Sequence, residues 1–592
     1  MKEKITLKYL FNLLLHDKSS LIKGQLITIA AVLVSIPIPL MLPMLVDEVL
    51  LNKPSFFVNN INDLIGNGGA FYYIALVTFS VIFLRFIYFV FNSIVTKIFT
   101  RISKYITFKI REKLLLHLQK VSMNRYETLG SGAVASNLIT DINTLDSFII
   151  TAASKFITSI ITLIAIACVI IAIDPILGLM ILVIQPLTIY ISKQISKNVK
   201  VLKKEENSSI ERFQNNISEV LELFGQIKAN NKESYFINES INKAKDIQKT
   251  SNEYNYKSVV YEKFSYTVFL VGFELIRAAG LIMVAYSDLS IGMMFAMFGY
   301  IWFIMTPVQD ILTMQYSYAS AKAALERLND LLDLETEPQG VKELHLKNNG
   351  IDIELKNLSF KYTKQKTTLD HISFTIKAKE KIALIGASGS GKTTLAQLIS
   401  GFYTKNSGDI LYNGISIDDL QRGSIRKSVF LVLQMPVMFN DTLRFNITLG
   451  DKNISDKQIF EALKTAQMYD IVQNMSKLLD TVVGKNGIRL SGGQRQRLSI
   501  ARMIIADPKV VIFDESTSAL DVHTETKLFE ALEPILKNKT VITIAHRLST
   551  VKNAHTVYVL NEGKLVQKGS HSELDAQEGH YKEFVKNQLI SK

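Results

Sequence analysis

Long uncharged apolar runs crowd the first half of this chain, whereas short apolar runs set between polar ones fill the second. No charge occurs between Lys23 and Asp47. A helix rises about 1.5 Å per residue and the hydrocarbon layer of a bilayer is roughly 30 Å thick, so about 20 apolar residues can cross it. That run is the first predicted span. A second covers residues 70–92 and is interrupted by Arg85. Between Lys155 and Lys193 the only charge is Asp174. Pro175 follows it, a turn signal that predicts a tight helical hairpin and makes the stretch spans three and four. Residues 264–286 and 291–310 supply the fifth and sixth.

The segments between the runs differ in charge. Residues 51–69 carry one cation, Lys53, and the turns at Asp174 and Asp288 carry none. After the second span come Lys97, Arg101, Lys104, Lys109, Arg111 and Lys113, and between the fourth and fifth come Lys197, Lys200, Lys203, Lys204, Arg212 and Lys228. Cations mark the cytoplasmic side of a membrane protein, which predicts a cytoplasmic N-terminus and two cytoplasmic connections. These connections lack Gly/Pro clusters and read as helices that continue well past the bilayer. The net charge of +13 is thus an orientation signal, and no nucleic-acid partner is expected. No small-residue cleavage site follows the first run, which is expected to stay in place as an anchor. The single cysteine, Cys168, excludes a disulfide framework or a cysteine metal site and reads as a free thiol in the core.

A polar, Ala-rich helix at residues 320–332 leads into Glu335, Thr336, Glu337, Pro338, Gln339 and Gly340, a predicted boundary between a membrane domain (1–335) and a second domain (336–592). Beyond it, β-rich runs such as residues 351–362 and 381–385 alternate with helical ones, which argues for an α/β domain. The run Gly386, Ala387, Ser388, Gly389, Ser390, Gly391, Lys392, Thr393, Thr394 follows an apolar strand and precedes a helix, the setting of a phosphate-binding loop. Its glycines let backbone N–H groups turn toward phosphate oxygens, and the helix start adds positive potential. Lys392 is expected to reach the β- and γ-phosphates of ATP, and the Thr393 hydroxyl to bind Mg²⁺. A second strand, residues 510–513, ends in Asp514 and Glu515. Asp514 is placed to hold Mg²⁺ and Glu515 to polarise the attacking water.

Leu490, Ser491, Gly492, Gly493, Gln494, Arg495, Gln496 and Arg497 in sequence resemble the signature of ATP-binding cassette (ABC) transporters, upstream of the Asp-Glu strand at the family's usual separation. The resemblance covers nearly the whole chain and implies further roles. Tyr362 looks like the aromatic that stacks on adenine, and Gln434 like the glutamine that contacts Mg²⁺ and water. Asp521, after Ser518, looks like part of the D-loop, and His546 like the histidine that senses the γ-phosphate. In the family the segment from Ser491 to Gln494 faces the γ-phosphate held by another protomer, so one cassette per chain implies a homodimer or a pairing with a related half-transporter. The first half resembles the exporter branch, with residues 132–141 and Ile227–Lys228 near its coupling helices. Where exporters often carry acidic residues before the signature, this chain has Thr481, Val482, Val483, Gly484, Lys485, Asn486 and Gly487.

The resemblance implies a six-helix ABC exporter transmembrane domain followed by an α/β P-loop nucleotide-binding domain. It implies an ATP-hydrolysing exporter or flippase for an amphipathic drug, lipid or lipid-linked molecule, in a bacterial cell membrane. The alternatives are an ATP-gated regulator or channel, and a heterodimeric peptide exporter. Within the spans, Arg85, Glu274 and Arg277 each cost about 2.5–3.5 kcal/mol to insert, so each should face a partner or a cavity. Glu274 and Arg277 either pair along one helix face or line the translocation path. Tyr300, Trp302 and Phe303 either line that path or pack.

Overall fold

The apolar runs become long helices in the computed structural model, which describes residues 4–53, 56–66, 68–124, 126, 131–195, 197–346, 350–362, 367–515, 519–545 and 547–590. The chain forms two units: Met1–Leu114 with Ser136–Asp330, and Leu115–Ala135 with Leu331–Lys592.

In the first unit a short helix, α1 (Leu7–His16), precedes the helical stretch α2 (Lys18–Leu50). Then come α3 (Ala70–Leu118), α4 (Val134–Ile173), α5 (Pro175–Ile195), α6 (Lys197–Glu222), α7 (Glu233–Tyr286) and α8 (Ile291–Leu332). At 49 and 54 residues, α3 and α7 far exceed what a bilayer needs, as the Gly- and Pro-poor connections predict. Among the described residues five helices, α2, α3, α4, α7 and α8, are long and apolar enough to cross a membrane. The expected fourth span corresponds to a shorter apolar helix, Pro175–Thr188. The turn before it forms as expected: Asp174 Oδ1 accepts from the N–H groups of Ile176 and Leu177 at 3.0 and 2.8 Å.

Prolines shape α2. Pro37 and Pro39 cannot donate backbone hydrogen bonds, and the α-helix is interrupted at Ile36. The Tyr300 hydroxyl donates to the Ile36 carbonyl at 2.6 Å. Tyr300 is wholly buried, so it packs rather than lining a path; Trp302, by contrast, is half exposed. Two glycines of α8 admit the proline face: a Cβ on Gly299 would sit 3.2 Å from Pro39 Cβ, and one on Gly292 would sit 2.6 Å from Pro43 Cα. Asp47 then caps α8, accepting from the Gly292 N–H at 2.9 Å and from the Ser290 hydroxyl. Cys168 corrects its expectation. It lies on an exposed face of α4, because the buried positions there are Ile166 and Ile170.

Asp141 is 4% exposed and accepts three hydrogen bonds from Arg327: from Nε to Oδ1 and Oδ2, at 3.1 and 3.0 Å, and from Nη2 to Oδ1. Arg327→Ala leaves that carboxylate buried and unpaired. The expected loss of stability is ~2–3 kcal/mol, below the figure for a fully buried pair because Arg327 is half exposed. Thermal unfolding in detergent reads it, and Arg327→Lys should recover part of the loss.

The second unit holds a six-stranded sheet, ordered β10-β9-β3-β8-β7-β6, and a four-stranded antiparallel sheet, ordered β2-β1-β4-β5. The strands are β1 (Ile353–Phe360), β2 (Leu369–Ile376), β3 (Lys381–Ile385), β4 (Ser407–Tyr412), β5 (Ile415–Ser416), β6 (Val429–Val432), β7 (Val510–Asp514), β8 (Thr540–Ile544), β9 (Thr556–Asn561) and β10 (Lys564–Gly569). All but β10 run parallel in the larger sheet. Every residue of β7 is buried, the pattern of a parallel strand covered on both faces. One apolar cluster, including Leu355, Phe360, Leu395, Ile399 and Tyr412, joins the small sheet to one face. Another, including Leu463, Leu498, Phe513 and Leu528, covers the other with helices. Segment Leu115–Ala135 belongs here through a bridge between Val121 and Thr336, backed by a hydrogen bond from the Glu337 N–H to the Lys120 carbonyl at 2.8 Å.

Candidate functional site

Parallel pairing sets the site at one sheet edge. Leu384 of β3 and Asp514 of β7 both register with Ile544 of the intervening β8, so the ends of β3 and β7 lie level. The chain leaves β3 at Gly386, where φ is 152° and a Cβ would lie 2.1 Å from the Leu560 carbonyl oxygen. It enters α9 (Lys392–Ile399) through Gly391, where φ is 98° and a Cβ would lie 2.6 Å from Leu369 Cδ2. Only glycine meets both demands. Ser388 and Gly389 form the exposed tip between them.

The loop is shaped for an anion. Gly391 caps α9 without a side-chain bond, leaving the first N–H groups of the helix for an outside acceptor. The Ser390 hydroxyl is buried with no partner among the described residues. Lys392 is 5% exposed, and its ammonium donates to the Gly386 and Ala387 carbonyls at 2.9 Å each. Burial pushes that ammonium below the usual lysine range, while Glu515 and Asp514 pull it back up. An orphaned hydroxyl and a buried cation resting on its own loop fit a phosphate chain.

Carboxylates meet the loop from β7. The Thr393 hydroxyl donates to Asp514 Oδ1 at 3.1 Å. Glu515 takes a φ of 45°, a left-handed conformation unusual for a residue with a Cβ, which turns it off the strand end. Gln434, just past β6, donates through Nε2 to Glu515 Oε2 at 2.7 Å. Tyr362 is half exposed, lies edge-on to Phe360 and Tyr403, and shares a 2.9 Å hydroxyl bond with Thr394. His546 and Ser518 lie outside the described residues.

The signature forms its own cap. Ser491 precedes α10 (Gly492–Ala506) and accepts from the Gln494 N–H at 3.2 Å, while Gln494 Oε1 accepts from the Ser491 N–H at 2.8 Å. A Cβ on Gly493 would lie 2.9 Å from Leu520 Cδ2, so this glycine admits the segment beside Asp521. Asp521 caps α11 (Val522–Leu536), and the Thr524 N–H and hydroxyl hold its carboxyl below the usual range. Within this unit, therefore, Ser491–Gln494 and Asp521 stand at helix starts, while Gln434, Asp514, Glu515 and the loop converge.

Two residues had no role assigned from sequence. Gln496 is 3% exposed and bridges two loops, donating to the Gln434 carbonyl at 3.0 Å and accepting from the Ala519 N–H at 3.2 Å. Arg547 donates to Glu525 and, at 3.2 Å, to the Leu520 carbonyl. Both lie in motifs legible in the sequence, but the direction of each side chain is not. The departure at residues 481–487 is anchored by hydrogen bonds between the Leu443 N–H and the Thr481 carbonyl and between the Val483 N–H and the Asp441 carbonyl, at 2.9 and 3.0 Å. It exposes Val482 and Lys485, with Ile488 just beyond, where exporters often present carboxylates.

Comparison with known proteins agrees with this geometry. Residues 369–518 match the family model described as ABC transporter, and residues 38–308 match that described as ABC transporter transmembrane region. The chain is 32% identical over 489 residues to an uncharacterized ABC transporter ATP-binding protein of Bacillus subtilis (strain 168), covering 82% of this chain and 81% of the relative. The chain belongs to the ABC transporter family. This transporter is also 32% identical over 491 residues to an ATP-dependent lipid A-core flippase of Legionella pneumophila (strain Paris), covering 82% of each. It is 30% identical over 502 residues to a putative multidrug export ATP-binding/permease protein of Bacillus subtilis (strain 168), covering 82% of this chain and 84% of the relative. Its fold matches that of a bacterial Atm1-family ABC exporter solved with ATP bound, with a TM-score of 0.82, 23% identity, and 96% and 98% of the two chains covered. The transporter is a multi-pass membrane protein that uses ATP and has the fused membrane and ATPase regions of an ATP-hydrolysing exporter.

Proposed function

We propose that two copies of this chain close on two ATP molecules, each copy's loop at residues 386–391 facing the α10 start of the other. The observation that carries the nucleotide site in this reading is the convergence of Thr393 on Asp514 and of Gln434 on Glu515 at one sheet edge, at 3.1 and 2.7 Å; the pairing of copies follows from one such cassette per chain. Lys392 and the loop N–H groups, with Ser388, Ser390 and Thr394 beside them, hold the triphosphate, and Tyr362 stacks on the base. Thr393, Asp514 and Gln434 would hold Mg²⁺, which neutralises phosphate charge when bound. Glu515 accepts a proton from the attacking water. Gln434 already orients that carboxylate, and His546 completes the site.

The functional division falls at residues 335 and 336. The N-terminus and the ATPase domain lie in the cytoplasm of a bacterial cell, on the side marked by the cation-rich helix extensions. The cargo is an amphipathic molecule, as the names of the flippase and multidrug relatives suggest. Phosphate release by the purified, reconstituted protein against a panel of lipids and amphipathic drugs tests this. Stimulation by at least one is expected; no phosphate release with any of them would overturn the reading.

Glu274 and Arg277 form an ion pair on α7, each half exposed within an apolar span. The two charges pair along one helix face, and their half exposure within an apolar span is why we also place them beside the cargo path rather than against lipid tails. Replacing both by Ala should leave basal hydrolysis in place and change its stimulation by cargo. Unchanged stimulation removes the pair from the path.

A further inference from the structure

Gln496 lies one turn past Gly492 on the buried face of α10 and is 3% exposed. Its Nε2 donates to the Gln434 carbonyl at 3.0 Å, and its Oε1 accepts from the Ala519 N–H at 3.2 Å. Gln434 in turn donates through its own amide to Glu515 Oε2 at 2.7 Å. Three hydrogen bonds thus run in series from the segment before Asp521, through α10, to the carboxylate at the end of β7.

Packing does not supply the same restraint. Leu433, Gln434 and Met435 form an irregular, exposed stretch after β6, with Met435 81% exposed. Exposed loop backbone drifts unless hydrogen bonds hold it. Gln496 can hold it because its own place is set. Leu498, Ile500 and Met503 anchor α10 in the apolar cluster that covers the larger sheet, and Gly493 seats against Leu520. A buried amide must satisfy donor and acceptor alike, and here each goes to a different loop.

We propose that Gln496 is a positioning residue for hydrolysis: it fixes the backbone of Gln434 so that the Gln434 amide stays on Glu515, in register with the α10 start. This role rests on Glu515 being the base, as proposed above. The α10 start is also the segment turned toward the other copy's ATP in that dimer, and about 6 Å of helix separates Gly492 from Gln496. A shift of the start therefore reaches the partner of the base.

Two substitutions in the full-length protein test the proposal. Methionine is close to glutamine in size and helix propensity but offers no amide. Gln496→Met should lower kcat for ATP hydrolysis about two- to tenfold, the worth of one neutral hydrogen bond, while affinity for a fluorescent ATP analogue stays nearly unchanged. In a Gln434→Ala background, which keeps the carbonyl but removes the amide, Gln496→Met should add little further loss.

Gln496→Glu separates positioning from packing. Its charged carboxylate can accept from Ala519 but cannot donate to Gln434. Its neutral carboxyl can do both, and burial favours the neutral form. Hydrolysis relative to the unaltered protein at the same pH should therefore rise as pH falls from about 8 to about 6. The charged groups around it are common to both proteins: Asp514, Glu515 and Asp521 at the loop ends, and Arg495, Arg497 and Arg502 along α10. Their titration cancels in the ratio.

Glu515→Gln, measured alongside, reports on the base itself. Near-normal hydrolysis there would remove the base, whatever Gln496 does. The proposal alone is overturned if Gln496→Met hydrolyses ATP as fast as the unaltered protein, or loses as much in the Gln434→Ala background as outside it. It is also overturned if the Gln496→Glu ratio stays at the Gln496→Met level down to about pH 6.

Discussion

Glu515→Gln is expected to lower ATP hydrolysis by about 10²–10⁴-fold, the span that a positioned general base contributes, while ATP binding persists. The carboxamide keeps an oxygen that can accept the 2.7 Å hydrogen bond from Gln434, so the loop after β6 should hold its place. What is lost is the capacity to take a proton. The substitution leaves every residue of the loop at 386–391 in place, so nucleotide should load and stay. The pair of measurements is phosphate release and retained nucleotide on the same preparation. Near-normal hydrolysis would falsify the assignment of Glu515 as the base.

Lys392→Ala acts on the opposite quantity. Lys392 is 5% exposed, and its ammonium has two loop carbonyls as partners at 2.9 Å. A phosphate chain in the cradle offers it a charged acceptor. A hydrogen bond to a charged group contributes about 1.5–3 kcal/mol. At about 1.4 kcal/mol per tenfold, removing it should weaken ATP binding roughly 10- to 100-fold. Equilibrium binding of a fluorescent ATP analogue checks this, and an unchanged affinity would place the triphosphate elsewhere. Taken together, the two variants separate holding the nucleotide from cleaving it.

The helices and the phosphate loop were legible in the chain because their causes are local. An uncharged run between Lys23 and Asp47 has few stable places outside a bilayer or a core, whatever surrounds it. Gly386 and Gly391 stand where backbone geometry excludes a Cβ, and that demand is carried by the residue itself. Asp174 followed by Pro175 set the hairpin turn in the same way. Burial was less legible. Tyr300 and Trp302 are two residues apart on α8 and look alike in sequence, yet one is wholly buried and the other half exposed. The single cysteine read as a core thiol, but the packed face of α4 passes through Ile166 and Ile170 instead.

Sequence alone determined which segments form long apolar helices, which glycine-rich loop joins a strand to a helix and which family the motifs resemble, since each of these follows from neighbours along the backbone. Only the tertiary structure decided that Gln434 reaches Glu515 across 81 positions, that Gln496 ties two loops together, and that Arg327 neutralises Asp141 from 186 positions away. Such pairs depend on which strands lie side by side and which helix faces meet. No local pattern encodes that choice; it is made when the whole chain buries its apolar surface at once.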